Sequence, residues 1–540
     1  MGVFAQIDQV IQQKFEMFKK PNVLTVRPGY KIKDGWITKQ PAIVVTVDQK
    51  QSDINPRDAV PTKVGGYPTD VRPATAMQRL RYTNLPLYAT IAATARPEFA
   101  QPEFPLERDI HTGELLQKAA PAALVAEMAA KPRVPYTPAD GVTLDPVTDT
   151  MSITCCASPD VGWTVLKKFL QGIQSQLTVG MYDFTSRHVL DTVKNGLSGP
   201  QDLSLVLDHP AKNHTADQTD EDTENELDAA LGSRLLFAWA AEARDRMVSQ
   251  AIFPNAYHIK VAVKDHQSMW LSSGNWNNSN QPDIDPFVSG ADRHQIDEMA
   301  AHSDRDWHVV VQHPGLAQTF EAYLKHDLEV AQSLQAARAA APMAAMLPAA
   351  ATDHSPEAPI LGDTPPETYF QPFEIANEKV TVQPLLTPDS GAGNYADKIL
   401  NLIQSAQSKL YIQTQYIHPP KEGTDDKFKA LIDAVAGKMN QGLEVCIIMS
   451  EYEATGSWLE KLQDAGLDLS KVKIQKGVHN KGFVVDSKVV ALGSQNWSGD
   501  GVLRNRDASL IIYHDGAAQY FEKIFLHDWT TLAKHELTFA

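Results

Sequence analysis

The sequence predicts an α/β fold built twice over. Two α-β-α sandwich halves are expected to join as a pseudo-dimer, preceded by a small mixed α/β N-terminal domain. Three observations carry this. His258-Ile259-Lys260, Asp265 and Ser272-Ser273-Gly274-Asn275 recur with identical spacing as His479-Asn480-Lys481, Asp486 and Gly493-Ser494-Gln495-Asn496. Similar orders of strand and helix patterns precede the two copies. An Ala- and Pro-rich stretch separates them. The expected divisions are 1–125 for the N-terminal domain, 147–335 for the first half, 336–370 for a linker and 371–540 for the second half.

The chain opens with Phe4, Ile7, Val10, Ile11, Phe15 and Phe18 at helical spacing, read as a helix docked on its own domain. Val23–Val26 reads as a strand, Arg27-Pro28-Gly29-Tyr30 as a turn, and Ala42–Val47 as a further strand. Residues 96–146 read as a connector with a helical patch near Ala119–Ala130. In the first half Met151–Cys156, Leu177–Tyr182 and Leu203–Asp208 read as strands, with Trp163–Gln174 and His188–Asn195 as helices. In the second half Val380–Leu386, Lys409–Thr414, Leu443–Met449 and Val472–Ile474 read as strands, with Tyr395–Ser405, Phe428–Met439 and Trp458–Ala465 as helices. Such alternation argues for a mixed sheet covered on both faces. Two acidic stretches of the first half, Asp217–Asp228 and Asn277–Asp304, read as solvated insertions beside the first motif, with a gate or a calcium site as alternatives.

A formal net charge of -17 disfavours a surface that grips nucleic acid everywhere, without excluding a local basic cleft. Cys155, Cys156 and Cys446 make a poor disulfide framework and read as buried free thiols, suiting a reducing, cytoplasmic setting. No secretory leader, myristoylation pattern or transmembrane run is expected. His294, His302 and His308 lack zinc-like spacing, so no metal site and no cofactor are expected.

Residues two apart on a strand share a face, which aims His258 with Lys260 and His479 with Lys481. Asp265 and Asp486 have the opposite parity and belong to the following turn. Phosphodiester cleavage needs a nucleophile, an acid for the leaving oxygen, and positive or amide donors on the non-bridging oxygens. Two His, two Lys and two Asn supply that set, and small residues beside them let a phosphate approach.

The paired H-x-K-x4-D-x6-[GS]-S-x-N motifs resemble those of the phospholipase D superfamily, from about residue 150 to the end. The resemblance implies that one His attacks phosphorus to give a phosphohistidine, while the other protonates the leaving group and later activates water. It implies His258 as nucleophile, His479 as acid/base, and Lys260 and Lys481 as catalytic partners. Ser273, Asn275, Ser494 and Asn496 would bind the substrate phosphate. It makes Asp265 and Asp486 structural, and Asp306 and Asp507 the carboxylates that orient the histidines.

The expected activity is phospholipid headgroup hydrolysis or transfer, favoured by the acidic surface and by the loop around Phe287. The alternative is a metal-independent nuclease, favoured by Trp276 and Trp497 as base-stacking groups and by Arg504 and Arg506 as extra phosphate contacts. A non-enzymatic scaffold would need dead motifs. Residues 1–125 carry no catalytic constellation, which leaves protein-partner binding, substrate recruitment or support as their role.

Overall fold

The computed structural model describes residues 2–50, 54–85, 88, 104–116, 137–208, 217–244, 247–253, 256–339, 368–388, 395–421, 423–451 and 454–537. The expected helical patch at Ala119–Ala130 and most of the Ala/Pro-rich linker lie outside these residues.

At the N-terminus α1 (Val3–Gln13) lays Ile7 and Ile11 onto β1 (Val23–Lys33) and β2 (Trp36–Val47), so the opening apolar stripe is spent on its own domain. With β3 (Lys63–Val64), β4 (Tyr67–Pro73) and β5 (Arg108–Asp109) these strands form a sheet ordered β3-β4-β2-β1-β5, accompanied by α2 (Ala76–Thr83).

The turn expected at 27–30 is not there: β1 runs straight through it, with Pro28 opposite Ile43. The chain instead reverses at Asp34 and Gly35, whose φ angles are 52° and 78°. Gly29 serves close approach rather than turning. A Cβ there would come within 2.7 Å of Arg27 and of the Glu460 carboxylate. Residues 104–116 are likewise not connector. Ile110 is buried in the N-terminal core, and Thr25 donates to Glu107 at 2.7 Å.

The first half runs β6 (Val147–Ser158), α3 (Gly162–Gln171), β7 (Gln176–Met181), α4 (Arg187–Gly196), β8 (Asp202–Leu207), α5 (Asp220–Leu231), β9 (Leu235–Trp239), β10 (Ala241–Arg244), β11 (Met247–Ala251), β12 (Lys260–Lys264), β13 (Ser268–Ser272), α6 (Arg293–Ala301), β14 (Asp306–Gln312) and α7 (Pro314–Ala339). The second runs β15 (Phe373–Thr387), α8 (Tyr395–Ser405), β16 (Lys409–Thr414), α9 (Asp426–Asn440), β17 (Glu444–Ser450), α10 (Gly456–Asp464), β18 (Val472–Gln475), β19 (Lys481–Val485), β20 (Val489–Gly493), α11 (Gly499–Leu503), β21 (Asp507–Tyr513) and α12 (Asp515–His527).

All but β10 and β11 of these strands belong to one 14-stranded sheet. From its middle outward the first half reads β6-β14-β13-β12-β7-β8-β9, and the second β15-β21-β20-β19-β16-β17-β18. Each half is thus the other's topological copy, and antiparallel pairing of β6 with β15, from Cys155 opposite Phe373 to Val147 opposite Val382, fuses them. The apolar runs at 261–263, 309–311 and 445–448 are buried almost throughout, as strands covered on both faces require. Cys155 and Cys156 are fully buried within β6 as free thiols, and burial pushes both up.

The first acidic insertion is a helix rather than a loop. A capping box of Thr219 and Asp222 starts α5, its buried face carries Leu227 and Leu231, and Glu226 pairs with Arg187 and Lys194. The second contains α6, capped by Asp292. Among the described residues no helix is long and apolar enough to cross a membrane, and no group of three or more His, Cys, Asp or Glu is placed to hold a metal ion.

Candidate active site

Each His-x-Lys segment enters its strand where the two halves meet. His258 and His479 stand just before β12 and β19, which begin at Lys260 and Lys481. The backbone there is clamped by the opposite half. His479 N donates to the Arg305 carbonyl at 3.1 Å, and Arg305 N donates to the Gly477 carbonyl at 2.6 Å. In the mirror position Arg506 N donates to the Ala256 carbonyl at 2.9 Å. These rungs lay each Arg-Asp dipeptide of one half alongside the histidine of the other.

The carboxylates are therefore exchanged. His258 Nδ1 lies 2.8 Å from Asp507 Oδ1, and His479 Nδ1 lies 3.0 Å from Asp306 Oδ1. Both aspartates are fully buried, as are Lys260 and, to within 2%, Lys481. With Nδ1 turned to a carboxylate, chemistry on each ring falls to Nε2.

The lysines brace the same segments. Lys260 Nζ donates to the His258 carbonyl at 2.8 Å and sits 4.9 Å from the centroid of the Tyr182 ring, which also meets the His258 ring edge-on. Lys481 Nζ donates to the His479 carbonyl at 2.5 Å and lies about equally far from both imidazole nitrogens, at 3.1 and 3.0 Å.

The serines, expected on the phosphate, reach the aspartates. Ser273 Oγ donates to Asp306 Oδ1 and Ser494 Oγ to Asp507 Oδ1, each at 2.6 Å. The same hydroxyls accept from Trp307 N and Ala508 N at 3.1 Å. Asn275 is buried with both its amide oxygen and nitrogen unpaired, and Asn496 has an unpaired Oδ1. Buried amides left unsatisfied are costly.

Asp265 and Asp486 stay out of the pocket. They take φ angles of 55° and 52° in the turns after β12 and β19. Asp265 accepts from the backbone N–H groups of Gln174, Ser175 and Gln176, and Asp486 from those of Gln407, Ser408 and Lys409. Burial pushes the Asp486 carboxyl up, but those donors outweigh it and hold it down at about 2. The Asp265 clamp also ends α3 at Gln171, ahead of the expected Gln174.

The two histidine partners differ. Burial raises the proton affinity of Asp306, but His479, the bond to it and Lys481 outweigh burial, and the carboxylate is held below its ordinary range. For Asp507 burial prevails over Lys260, Ser494, Lys481 and the nearby Asn505 amide, and the carboxyl sits well above that range. Asp507 Oδ2 is buried and makes no bond in hydrogen-bonding geometry, although the Asn505 amide lies near the carboxyl.

The four residues expected to contact nucleic acid are each committed elsewhere. Trp276 and Trp497 are fully buried, with their backbones pairing to Phe184 and Ile417. Arg506 is fully buried in a two-point ion pair with Asp327 at 2.8 and 2.9 Å, and Arg504 pairs with Asp425 and Asp500. Sequence reasoning missed the ion pairs that carry the crossing: Arg305 binds Asp528 at 2.9 Å and also Asp160, as Arg506 binds Asp327. A signal was present, because Asp327 stands as far beyond Asp306 as Asp528 stands beyond Asp507.

A family model described as "Cardiolipin synthase, PLD-like domain" matches residues 399–529, which include the second motif. A phospholipase D of Rickettsia conorii is 29% identical over 165 residues, covering 30% of this chain and 72% of the relative. These matches support a place for the chain in the phospholipase D superfamily. A cardiolipin synthase 2 of Staphylococcus epidermidis is 26% identical over 137 residues, which span 24% of this chain and only 26% of that relative. Among solved structures, a phosphatidylserine synthase of Haemophilus influenzae Rd KW20 aligns over 71% of this chain and 89% of its own, at 13% identity and a TM-score of 0.45. The phospholipase D family member Nuc of Salmonella typhimurium aligns over 29% of this chain and 97% of its own, at 21% identity and a TM-score of 0.23. The superfamily comprises phosphodiesterases and phospholipid-modifying enzymes.

Proposed function

We propose that this protein is a phospholipase D-type phosphodiesterase that hydrolyses or transfers phospholipid headgroups through a phosphohistidine on His258. The observation that supports the reading is the exchanged pair of His–Asp contacts, in which each half's histidine meets the other half's buried carboxylate.

In the first step Nε2 of His258 attacks phosphorus as the bond from phosphorus to the headgroup oxygen breaks. His479, protonated at Nε2, gives that proton to the leaving alcohol. In the second step the now neutral His479 takes a proton from water or an acceptor alcohol. The freed oxygen attacks phosphorus, the phosphorus–nitrogen bond breaks, and both rings return to their starting state. Lys260, Lys481, Asn275 and Asn496 are the donors assigned to the phosphate oxygens.

The unequal carboxylates support this assignment. An ionised Asp306 favours an imidazolium at His479, as an acid requires. Burial pushes the Asp507 carboxyl up, so it favours an imidazolium at His258 less than Asp306 does at His479.

The test gives wild type, His258→Ala and His479→Ala phosphatidylcholine vesicles in one tube and single-stranded and plasmid DNA in another, all with excess EDTA. Wild type should release choline and leave DNA intact, and each variant should lose on the order of 1,000-fold in rate. DNA cleavage without choline release would overturn the lipid reading.

A further inference from the structure

The two halves are copies in topology, yet their histidine-bearing carboxylates are not equally dressed. Asp306 Oδ1 receives Ser273 Oγ and His479 Nδ1, while its Oδ2 receives Asn280 Nδ2 at 2.9 Å. Asp507 has the matching pair on Oδ1, and its Oδ2 makes no bond in hydrogen-bonding geometry, the Asn505 amide lying near the carboxyl without the contact that Asn280 makes to Asp306. We infer that Asn280 is a positioning residue that makes the histidines inequivalent, fixing His479 as the acid and leaving His258 as the nucleophile. The inference deepens the proposed reaction and rests on it.

Asn280 is itself held without slack. Its other amide hydrogen goes to Asp304 Oδ2 at 2.9 Å, and its Oδ1 accepts from Asn275 N at 2.9 Å. Its carbonyl accepts from Ser158 Oγ at 2.6 Å. The side chain is fully buried. One residue therefore ties the amide-bearing loop at Asn275 to the acid's carboxylate.

Space for this contact comes from the variable position of the S-x-N element. The first half has Gly274 there, and a Cβ would come within 2.6 Å of Asp306 Oδ2 and 2.9 Å of the Asn280 Cβ. The second half has Gln495, whose amide oxygen accepts from Ser509 Oγ. Where the first half places Asn280 after Asn275, the second places Gly501 after Asn496 at the same interval, with no side chain to offer. Gly274 and Asn280 thus form a first-half device that the second half does not repeat.

Burial pushes the Asp306 carboxyl up, and His479, Lys481 and His308 outweigh it, with Arg305 and Asp304 beside it; Asn280 adds a donor on the oxygen that His479 does not use. Without Asn280 one oxygen is orphaned, the carboxyl competes with His479 for the proton, and the acid weakens. An acid matters for a poor leaving group and little for a good one.

The test compares phosphatidylcholine, whose leaving group is an alkoxide, with phosphatidyl-p-nitrophenol, whose leaving group departs unprotonated. Asn280→Leu should slow choline release ~10-fold or more while changing the nitrophenol burst less than ~2-fold. Asn280→Ser, which keeps a small acceptor for Asn275 N but lacks the reach to Asp306, should give the same split if the leucine variant fails to fold. Equal slowing of both esters, or no slowing of either, would overturn the inference. Failure of the underlying reaction reads differently: wild type would then carry no phosphoryl group on His258 with either ester.

Discussion

Among single residues, the repeat is most informative where it breaks. Ser272 stands where the second copy has Gly493, and the reason is the opposing residue on the next strand. Ser272 faces His308 and Gly493 faces Ser509. Ser272 Oγ lies 2.6 Å from His308 Nδ1, and Ser158 Oγ lies 2.8 Å from Nε2. In the second half a Cβ at 493 would collide with Ser509 Oγ and the Ala508 carbonyl. Gly493→Ala should therefore cost about 1–3 kcal/mol in urea unfolding. A loss below a few tenths would show that Ser509 simply turns aside. His308 offers a second test. Burial pushes its imidazole down to about 4 from 6.5, so the folded state prefers it neutral. Its contribution is fully present above pH 6.5 and is lost as the pH falls toward 4. The loss amounts to about 3 kcal/mol. His308→Gln should thus lose less stability than wild type between about pH 7 and about pH 4.5. Equal losses would mean that His308 charges freely in the fold.

Among the elements, strand and helix order was legible because the hydrophobic periods are strong and occur twice. The boundaries that moved were set by distant polar groups. β1 absorbs residues 27–30 because Glu460, on α10, takes Arg27 NH2 at 2.5 Å and Tyr30 N at 2.9 Å, a contact no local pattern announces. α3 stops at Gln171 because Asp265 gathers the amides of Gln174, Ser175 and Gln176. The acidic stretch from Asp220 to Asp228 is helical despite its charge because Leu227 and Leu231 are buried and a capping box starts it. The turn clamps are testable. Asp486→Ala removes a carboxylate that takes three backbone N–H groups, and should lower stability by about 1–3 kcal/mol with the nitrophenol burst retained in the folded fraction. Loss of the burst in fully folded protein would make Asp486 part of the reaction.

For the molecule as a whole, the motif residues were legible in the sequence and their crossing was not. Spacing places Asp306 and Asp507 beyond their own motifs but cannot say that each serves the other half's histidine. The crossing follows from β6 pairing with β15 and from two buried arginines. Arg305 reaches Asp528 and Arg506 reaches Asp327, each across the junction. Asp327→Asn leaves the Arg506 guanidinium buried without its counter-charge and should cost about 3–5 kcal/mol. It should also slow catalysis at His258 more than its effect on folding explains, because Arg506 precedes Asp507. A rate per folded molecule equal to that of wild type would confine the Arg506 pair to stability.

In the proposed reaction His258 carries the phosphoryl group and His479 handles the proton. That division is read most directly by peptide mapping with mass spectrometry, after rapid quenching of His479→Asn with phosphatidyl-p-nitrophenol. Without its proton-handling histidine, the enzyme should still expel nitrophenol once and then stall, with the phosphatidyl group on His258. An adduct on another residue, or a nitrophenol burst that leaves no adduct, would contradict that division.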